Sequence, residues 1–156
     1  MEFSDVIKNR YSCKKFSSEQ IGKDKLDAIL EAGRVAPTAK NLQEQHIYVV
    51  QSESALETID KLTPCRYNAP TVLIVAYNKN NVFTYLGDKR NSGIEDATIV
   101  ATHLMLAAYN EGVDSCWINF FNPDELAKAF NLPEDEEILM LLDLGVADKT
   151  TTLLPN

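Results

Sequence analysis

The apolar and polar positions alternate in short blocks of helical and strand period. Ser4 to Asn9 reads as a short first helix, with Ser4 as N-cap and Asp5 in its first turn. Arg10 to Phe16 then reads as extended. Leu26, Ile29, Leu30 and Gly33 recur at helical spacing and predict a helix from Asp24 to Ala32. Ala36-Pro37-Thr38 ends it, because a residue before proline is pushed out of the helical region. His46 to Val50 reads as a strand, and Ser54-Ala55-Leu56-Glu57 has the form of a capping box opening a helix to Leu62. Thr71 to Tyr77 is almost wholly apolar, as expected of a central strand buried on both faces. Asn78 to Asn91 is polar and predicts a surface loop.

Ser92-Gly93-Ile94-Glu95 again has capping-box form and opens the longest helix, which Gly112 closes. Small residues recur in it (Ala97, Ala101, Ala107, Ala108) and permit close backbone approach. Asp114 to Asn119 predicts a strand. Asn122-Pro123-Asp124-Glu125 joins an N-cap, an N1 proline and first-turn acids into a helix start, and Pro133 follows that helix's end. Glu137 to Val146 predicts the last strand. Interleaved helices and strands, with no repeat or linker, predict one domain over residues 1–156 built as a sheet covered by helices.

The composition narrows the function. Hydrophobic residues make up 45% and charged residues 24%, enough for a core that needs neither disulfide nor structural metal. The net charge of -8 argues against nucleic acid as a partner, because a phosphate backbone needs a basic footprint. No apolar run is long enough to span a membrane, and the scattered cysteines Cys13, Cys65 and Cys116 fit a reducing compartment, so a cytoplasmic location is expected. No dinucleotide fingerprint, P-loop, Cys-x-x-Cys, zinc-protease motif or nucleophile elbow is present. His46 and His103 have no carboxylate or cysteine at ligand spacing, so no metal site is expected.

Three segments carry candidate chemistry. In Asn9 to Phe16, an extended chain puts Arg10, Ser12 and Lys14 on one face, a set suited to a phosphate; a solvated basic strand is the competing reading. Ala36 to Gln43 is a turn carrying the amides of Asn41 and Gln43, each both donor and acceptor. A flavin pyrimidine presents the matching edge, although asparagine and threonine also serve turns generally. In Gly112 to Phe121, Trp117 stands at a strand end beside Phe120 and Phe121, arranged either for a planar ring or as an aromatic core cluster.

Taken together, these segments resemble the nitroreductase-like FMN-dependent flavoprotein family. Arg10-x-Ser12-x-Lys14 with Phe16 resembles its FMN-binding opening, and Ala36-Pro37-Thr38-Ala39-Lys40-Asn41-Leu42-Gln43 its amide turn. Gly93 through Asp96, Ala107 and Gly112 to Ser115-Cys116-Trp117-Ile118 resembles its central helix and following strand, and Leu144-Gly145 its last core strand. The resemblance implies an α+β, three-layer fold with a mostly antiparallel central sheet between helices. It implies a homodimer with FMN at the interface and NADH or NADPH as electron donor. A nitroaromatic, quinone or similar small oxidant would be the acceptor, reached by ping-pong transfer through the flavin. The alternatives are an FMN-binding protein without turnover, or a family branch with different flavin chemistry.

The site residues so implied are Arg10, Ser12 and Lys14 at the phosphate and ribityl end, with Tyr11 lining the groove through its backbone. Asn41 and Gln43 would meet the pyrimidine edge. Pro37, Thr38 and Ala39 would form a wall, and Trp117, Ile118 and Asn119 would lie beside the ring. Asp96 matches a family position near the flavin. The flavin carries the chemistry, so no acid–base or nucleophilic residue is expected. This chain has Gln43-Glu44-Gln45 where many members have Gln-Pro-Trp, and Asn119-Phe120 where many have glycines. It stops at Leu153-Leu154-Pro155-Asn156, so the family's basic C-terminal tail is expected to be short or missing.

Overall fold

A computed structural model describes residues 1–149 of the chain. The expected shortening of the C-terminal tail concerns residues 150–156, which lie outside the described residues. The elements are α1 (Phe3–Asn9), α2 (Lys23–Arg34), β1 (Gln45–Val50), α3 (Glu53–Leu62), β2 (Thr71–Asn78), α4 (Gly93–Asn110), β3 (Asp114–Ile118), α5 (Pro123–Ala129) and β4 (Glu136–Gly145). The strands form one sheet in the order β1-β2-β4-β3, with each neighbouring pair antiparallel.

The uniformly apolar strand becomes β2, whose first seven residues are all buried. It lies between β1 and β4, so no edge is left to water, and helices cover both its faces. Leu73, Val75 and Tyr77 point to the core formed with Ile29 of α2 and Val100, Ala101 and Leu104 of α4. Val72, Ile74 and Ala76 point to the opposite core, with Ile59 of α3 and Leu126 of α5. Helix layer, sheet and helix layer follow from this alternation. Near-continuous apolar strands are usual in parallel sheets; here two covered faces produce the same pattern in an antiparallel one.

The helix ends confirm some local readings and correct others. Asn122 caps α5, accepting from the N–H groups of Asp124 and Glu125, with Pro123 in the first turn. After α4, Gly112 takes φ +73° while Val113 N–H donates to Ala108 O (2.8 Å) and Gly112 N–H to Tyr109 O (2.9 Å). A side chain would be strained there, which is why glycine closes this helix. The first helix begins one residue early, with Glu2 rather than Ser4 at its N-cap and no side-chain cap. The cap of α3 is Ser52, which accepts from Ala55 N–H, and not Ser54, whose carbonyl accepts from Thr58 inside the helix. At α4, Ser92 has helical φ/ψ and makes no cap. Asn91 Oδ1 accepts from Gly93 N–H instead (3.0 Å), and Ser92 Oγ accepts from Phe83 N–H (3.0 Å). Ser92 therefore ties the polar 78–91 segment to the helix. That segment also folds back through a Thr84–Asn91 bridge.

Candidate functional site

The N-terminal segment adds itself to the sheet edge. Ser12 bridges Ser115 of β3 in parallel, and Cys13 N–H donates to Ser115 O (2.8 Å). Cys13 is fully buried, so an extended backbone turns its neighbours Ser12 and Lys14 to the other face, where Lys14 is exposed. Arg10, half-buried, shares their parity at the end of α1. Tyr11 faces inward with Cys13: its hydroxyl meets the Asp114 carboxylate and the Cys13 thiol. Burial first, then the charge of Asp114, pushes its pKa up. Its phenol is therefore engaged by the fold.

The amide turn is built differently. A short 3-10 turn, Ala39–Asn41, leaves Lys40, Asn41 and Gln43 with φ of 54°, 53° and 52°. These are left-handed conformations on non-glycine residues, which persist only where surrounding contacts impose them. Here the contacts are specific. Ala39 N–H donates to Asp96 Oδ1 (2.9 Å), and Gln43 N–H donates to Thr38 Oγ1 (3.0 Å). Gln43 Nε2 donates to Asn41 Oδ1 (2.7 Å), and Gln45 Nε2 donates to Gln43 Oε1 (2.9 Å). Asn41, Gln43 and Pro37 are exposed, and Thr38 and Ala39 half-buried. The two amides form one linked, outward-facing array rather than two independent side chains.

At the strand end the three residues divide. Ile118 is in the core at 3% exposure, so only its backbone can meet a ligand. Trp117 is half-buried against the α2/α4 core, and its Nε1–H donates to exposed Asn119 Oδ1 (2.8 Å). Phe120 is 72% exposed and, with Asn119, Phe121 and Leu62, lines a cleft of about 600 Å³. The aromatic residues there thus form a rim as well as core. Sheet pairing brings the basic segment beside β3, and the charge of Lys14 reaches Cys116. The amide turn is anchored elsewhere, on α4 and β1.

Several pairings of polar groups escaped sequence reasoning. Glu44 and Asp96, 52 positions apart in sequence, are buried at 2% and 3% exposure with their carboxyl groups in hydrogen-bond reach. Burial first, then Asp96, pushes Glu44 up to about 7. The sequence signals were Glu44 where the family resemblance leads to an expectation of proline, and Asp96 at a position that resembles one near the family's flavin. His46 has a carboxylate partner after all: its Nδ1 lies 2.8 Å from Oε2 of buried Glu136, which also accepts from the Tyr48 hydroxyl. Cross-strand placement, not sequence spacing, makes that contact. Asp143, 1% exposed, lies beside Cys116 and is pushed up to about 9, chiefly by burial.

Comparison with known proteins agrees with this arrangement. The chain is similar to a nitroreductase family protein of Clostridium difficile 630, 33% identical, with a TM-score of 0.92 over 100% of this chain and 88% of that one. A nitroreductase family protein of Clostridium novyi NT is 30% identical, with a TM-score of 0.88 over 96% of this chain and 87% of that one. YodC of Bacillus subtilis, which bears the provisional name of an NAD(P)H nitroreductase, is 28% identical across 93% of this chain and 89% of its own. The sequence model of the nitroreductase family matches residues 7–65 and 63–146, so nearly every described element lies inside the match, and the chain belongs to the nitroreductase family.

Proposed function

We propose that the protein is an FMN-dependent oxidoreductase that takes electrons from NADH or NADPH and delivers them to a nitroaromatic, quinone or similar small oxidant. The observation that carries this reading is the parallel bridge of Ser12 to Ser115. It sets the outward row of Arg10, Ser12 and Lys14 beside β3, which carries Trp117 near its end and leads into Asn119. A row suited to a phosphate next to an aromatic rim suits a flavin mononucleotide. Bound there, the flavin would supply hydride acceptance and release. The chain's own part is to bind and orient it. Arg10 and Lys14 offer charge-assisted donors to the phosphate, the Ser12 hydroxyl meets the ribityl end, and the backbone at Ile118 lies toward the ring. The Asn41–Gln43 amide array presents donors and acceptors to a pyrimidine edge.

The amide turn and the basic row are held by different elements, which suits a groove walled by two copies of the chain. Phe3 and Ile7 of α1 and Ile94 and Ile99 of α4 are exposed apolar side chains, and they support a homodimer. Light scattering should then report about twice the 17.4 kDa chain mass. A monomer that binds FMN and turns over would refute the shared groove.

Titration with FMN and riboflavin tests the cofactor, and NADH oxidation with a nitroarene or quinone tests turnover. Arg10→Ala should weaken FMN by about 1.5–3 kcal/mol and leave riboflavin, which lacks the phosphate, nearly unchanged. Equal effects on both flavins would return Arg10 to the solvated-strand reading. Tight flavin binding without NADH oxidation would favour a non-catalytic flavin-binding protein.

A further inference from the structure

The Glu44–Asp96 pair has an unusual balance. Both side chains are buried, and no other residue donates a hydrogen bond to Glu44 Oε1, Glu44 Oε2 or Asp96 Oδ2. Asp96 Oδ1 is already used by Ala39 N–H. Two carboxyl groups in contact and shielded from water cannot both be charged at low cost, because each charge is desolvated and repels the other. A single proton between them solves this. It turns one orphaned oxygen into a donor and gives another its hydrogen bond.

The groups facing the pair supply no alternative. Tyr77 from β2 is near enough to Glu44 for their charges to interact, and Glu137 from β4 acts on Tyr77. Both are neutral or acidic. Asp96 comes from α4, and the backbone N–H of Glu44 itself is the one group that favours its ionised form. Among the described residues no cation offsets Glu44.

The pair also sits where it can control geometry. Asp96 holds the turn at Ala39, at one end of the left-handed residues, and Glu44 follows Gln43 at the other. The Glu44 carbonyl accepts from Asn78 N–H (2.9 Å), fixing that end to β2. The carboxyl pair thus closes the turn across its base, with the Asn41 and Gln43 amides between its two anchored ends.

We propose that Glu44 and Asp96 are positioning residues whose shared proton clamps the 37–43 turn, so that loss of that proton loosens the amide array and weakens flavin binding. The inference rests on the flavin reading above. Neither residue needs to touch the flavin.

The test uses the full-length protein. Riboflavin is the main probe, because its affinity has no contribution from a titrating phosphate. Affinity and the melting temperature of the unliganded protein are measured at about pH 5.5 and about pH 8.5 for wild type, Glu44→Gln and Asp96→Asn. Either amide can donate across the pair without a titrating proton. Wild-type affinity should fall about tenfold at the higher pH, equivalent to a one-unit difference in the pair's pKa between free and bound protein. Glu44→Gln should keep the low-pH affinity at both pH values. The wild-type melting temperature should also fall more with pH than that of Glu44→Gln. Should Glu44→Gln not fold, Asp96→Asn carries the same comparison.

Equal pH dependence of melting in wild type and variants would show that no proton is shared and overturn the proposal, whether or not flavin binds. A melting difference with flat riboflavin affinity would make the pair merely structural and overturn its positioning role. Failure of every protein to bind either flavin, while the melting difference persists, would overturn the flavin reading and the positioning claim with it.

Discussion

On the α2/α4 side of the sheet, Glu44 and Asp96 are buried together; on the α3/α5 side, Asp143 is buried alone. Desolvation is the leading cause of the raised pKa at both Glu44 and Asp143. The surroundings differ. The first pair is wired into backbone: Asp96 holds Ala39, and the Glu44 carbonyl holds Asn78. Neither Asp143 oxygen has a hydrogen-bond partner. The nearby cation, Arg66, is already bidentate to Asp60 (2.8 and 2.7 Å) and donates to Ala69 O (2.7 Å). Its field favours ionised Asp143, but burial outweighs it. Around Asp143 stand Cys65 and Cys116, which offer weak hydrogen bonds at best. The same penalty therefore has different consequences. Where the carboxyl is connected to a strained turn, its protonation can set the geometry of that turn. Where it is isolated, the penalty falls on stability.

The largest effect expected from this contrast is at Asp143. Its folded-state pKa of about 9 exceeds the ordinary 3.8, so the folded protein holds a proton that the unfolded chain releases. Stability should be greatest below the ordinary value and fall as pH rises toward the folded one. Asp143→Asn removes that dependence and should stabilise the protein at about pH 8 by on the order of 3 kcal/mol. Denaturant unfolding across the pH range checks this. The variant should leave the pH profile of riboflavin affinity intact, and a changed profile would erase the distinction between the two carboxyl sites.

A smaller effect is expected at Gly93, at the start of α4. A Cβ there would come within 2.4 Å of the Tyr77 ring, next to Glu44. Gly93→Ala should displace that ring and cost about 1–3 kcal/mol. It should also disturb the Glu44–Asp96 pair, flattening the pH dependence of binding while that of Asp143 persists. Loss of stability with an unchanged binding profile would mean the turn is held without the support of Tyr77.

The smallest effect concerns the thiols beside Asp143. Burial, then the charge of Asp143, pushes Cys116 up to about 12, and Cys13 is fully buried with its pKa also raised by burial. Cys65 is half-buried. Native alkylation followed by peptide mass mapping should label Cys65 well before the other two, because the thiolate is the reactive form and access limits the rest. Equal labelling would mean that this side of the molecule opens readily, and that the isolation of Asp143 is not maintained in solution.

Much of the frame was legible in sequence because it rests on local rules. The apolar run at Thr71 to Tyr77, the Asn122-Pro123 helix start and Gly112 each act through their own backbone or nearest neighbours, and each behaves as its residues predict. The caps expected at Ser54 and Ser92 do not form, because a serine oxygen near a helix start has several N–H donors to serve. At Ser92 the claimant, Phe83 N–H, comes from a loop whose path the local sequence does not specify. The alternation of Arg10, Ser12 and Lys14 was readable; the strand that receives them was not, since pairing with Ser115 joins residues 103 positions apart in sequence.

Side-chain periodicity and backbone preferences are thus properties of a segment, and this sequence determined by itself its layers, its family and its candidate binding segments. Charge environments are properties of a place. Along the chain Glu44 stands beside a polar turn, and Asp143 interrupts the apolar run of residues 138–144. Only tertiary structure brought Asp96 to the first and enclosed the second among thiols, because desolvation and Coulomb interaction depend on distance through space and not along the chain.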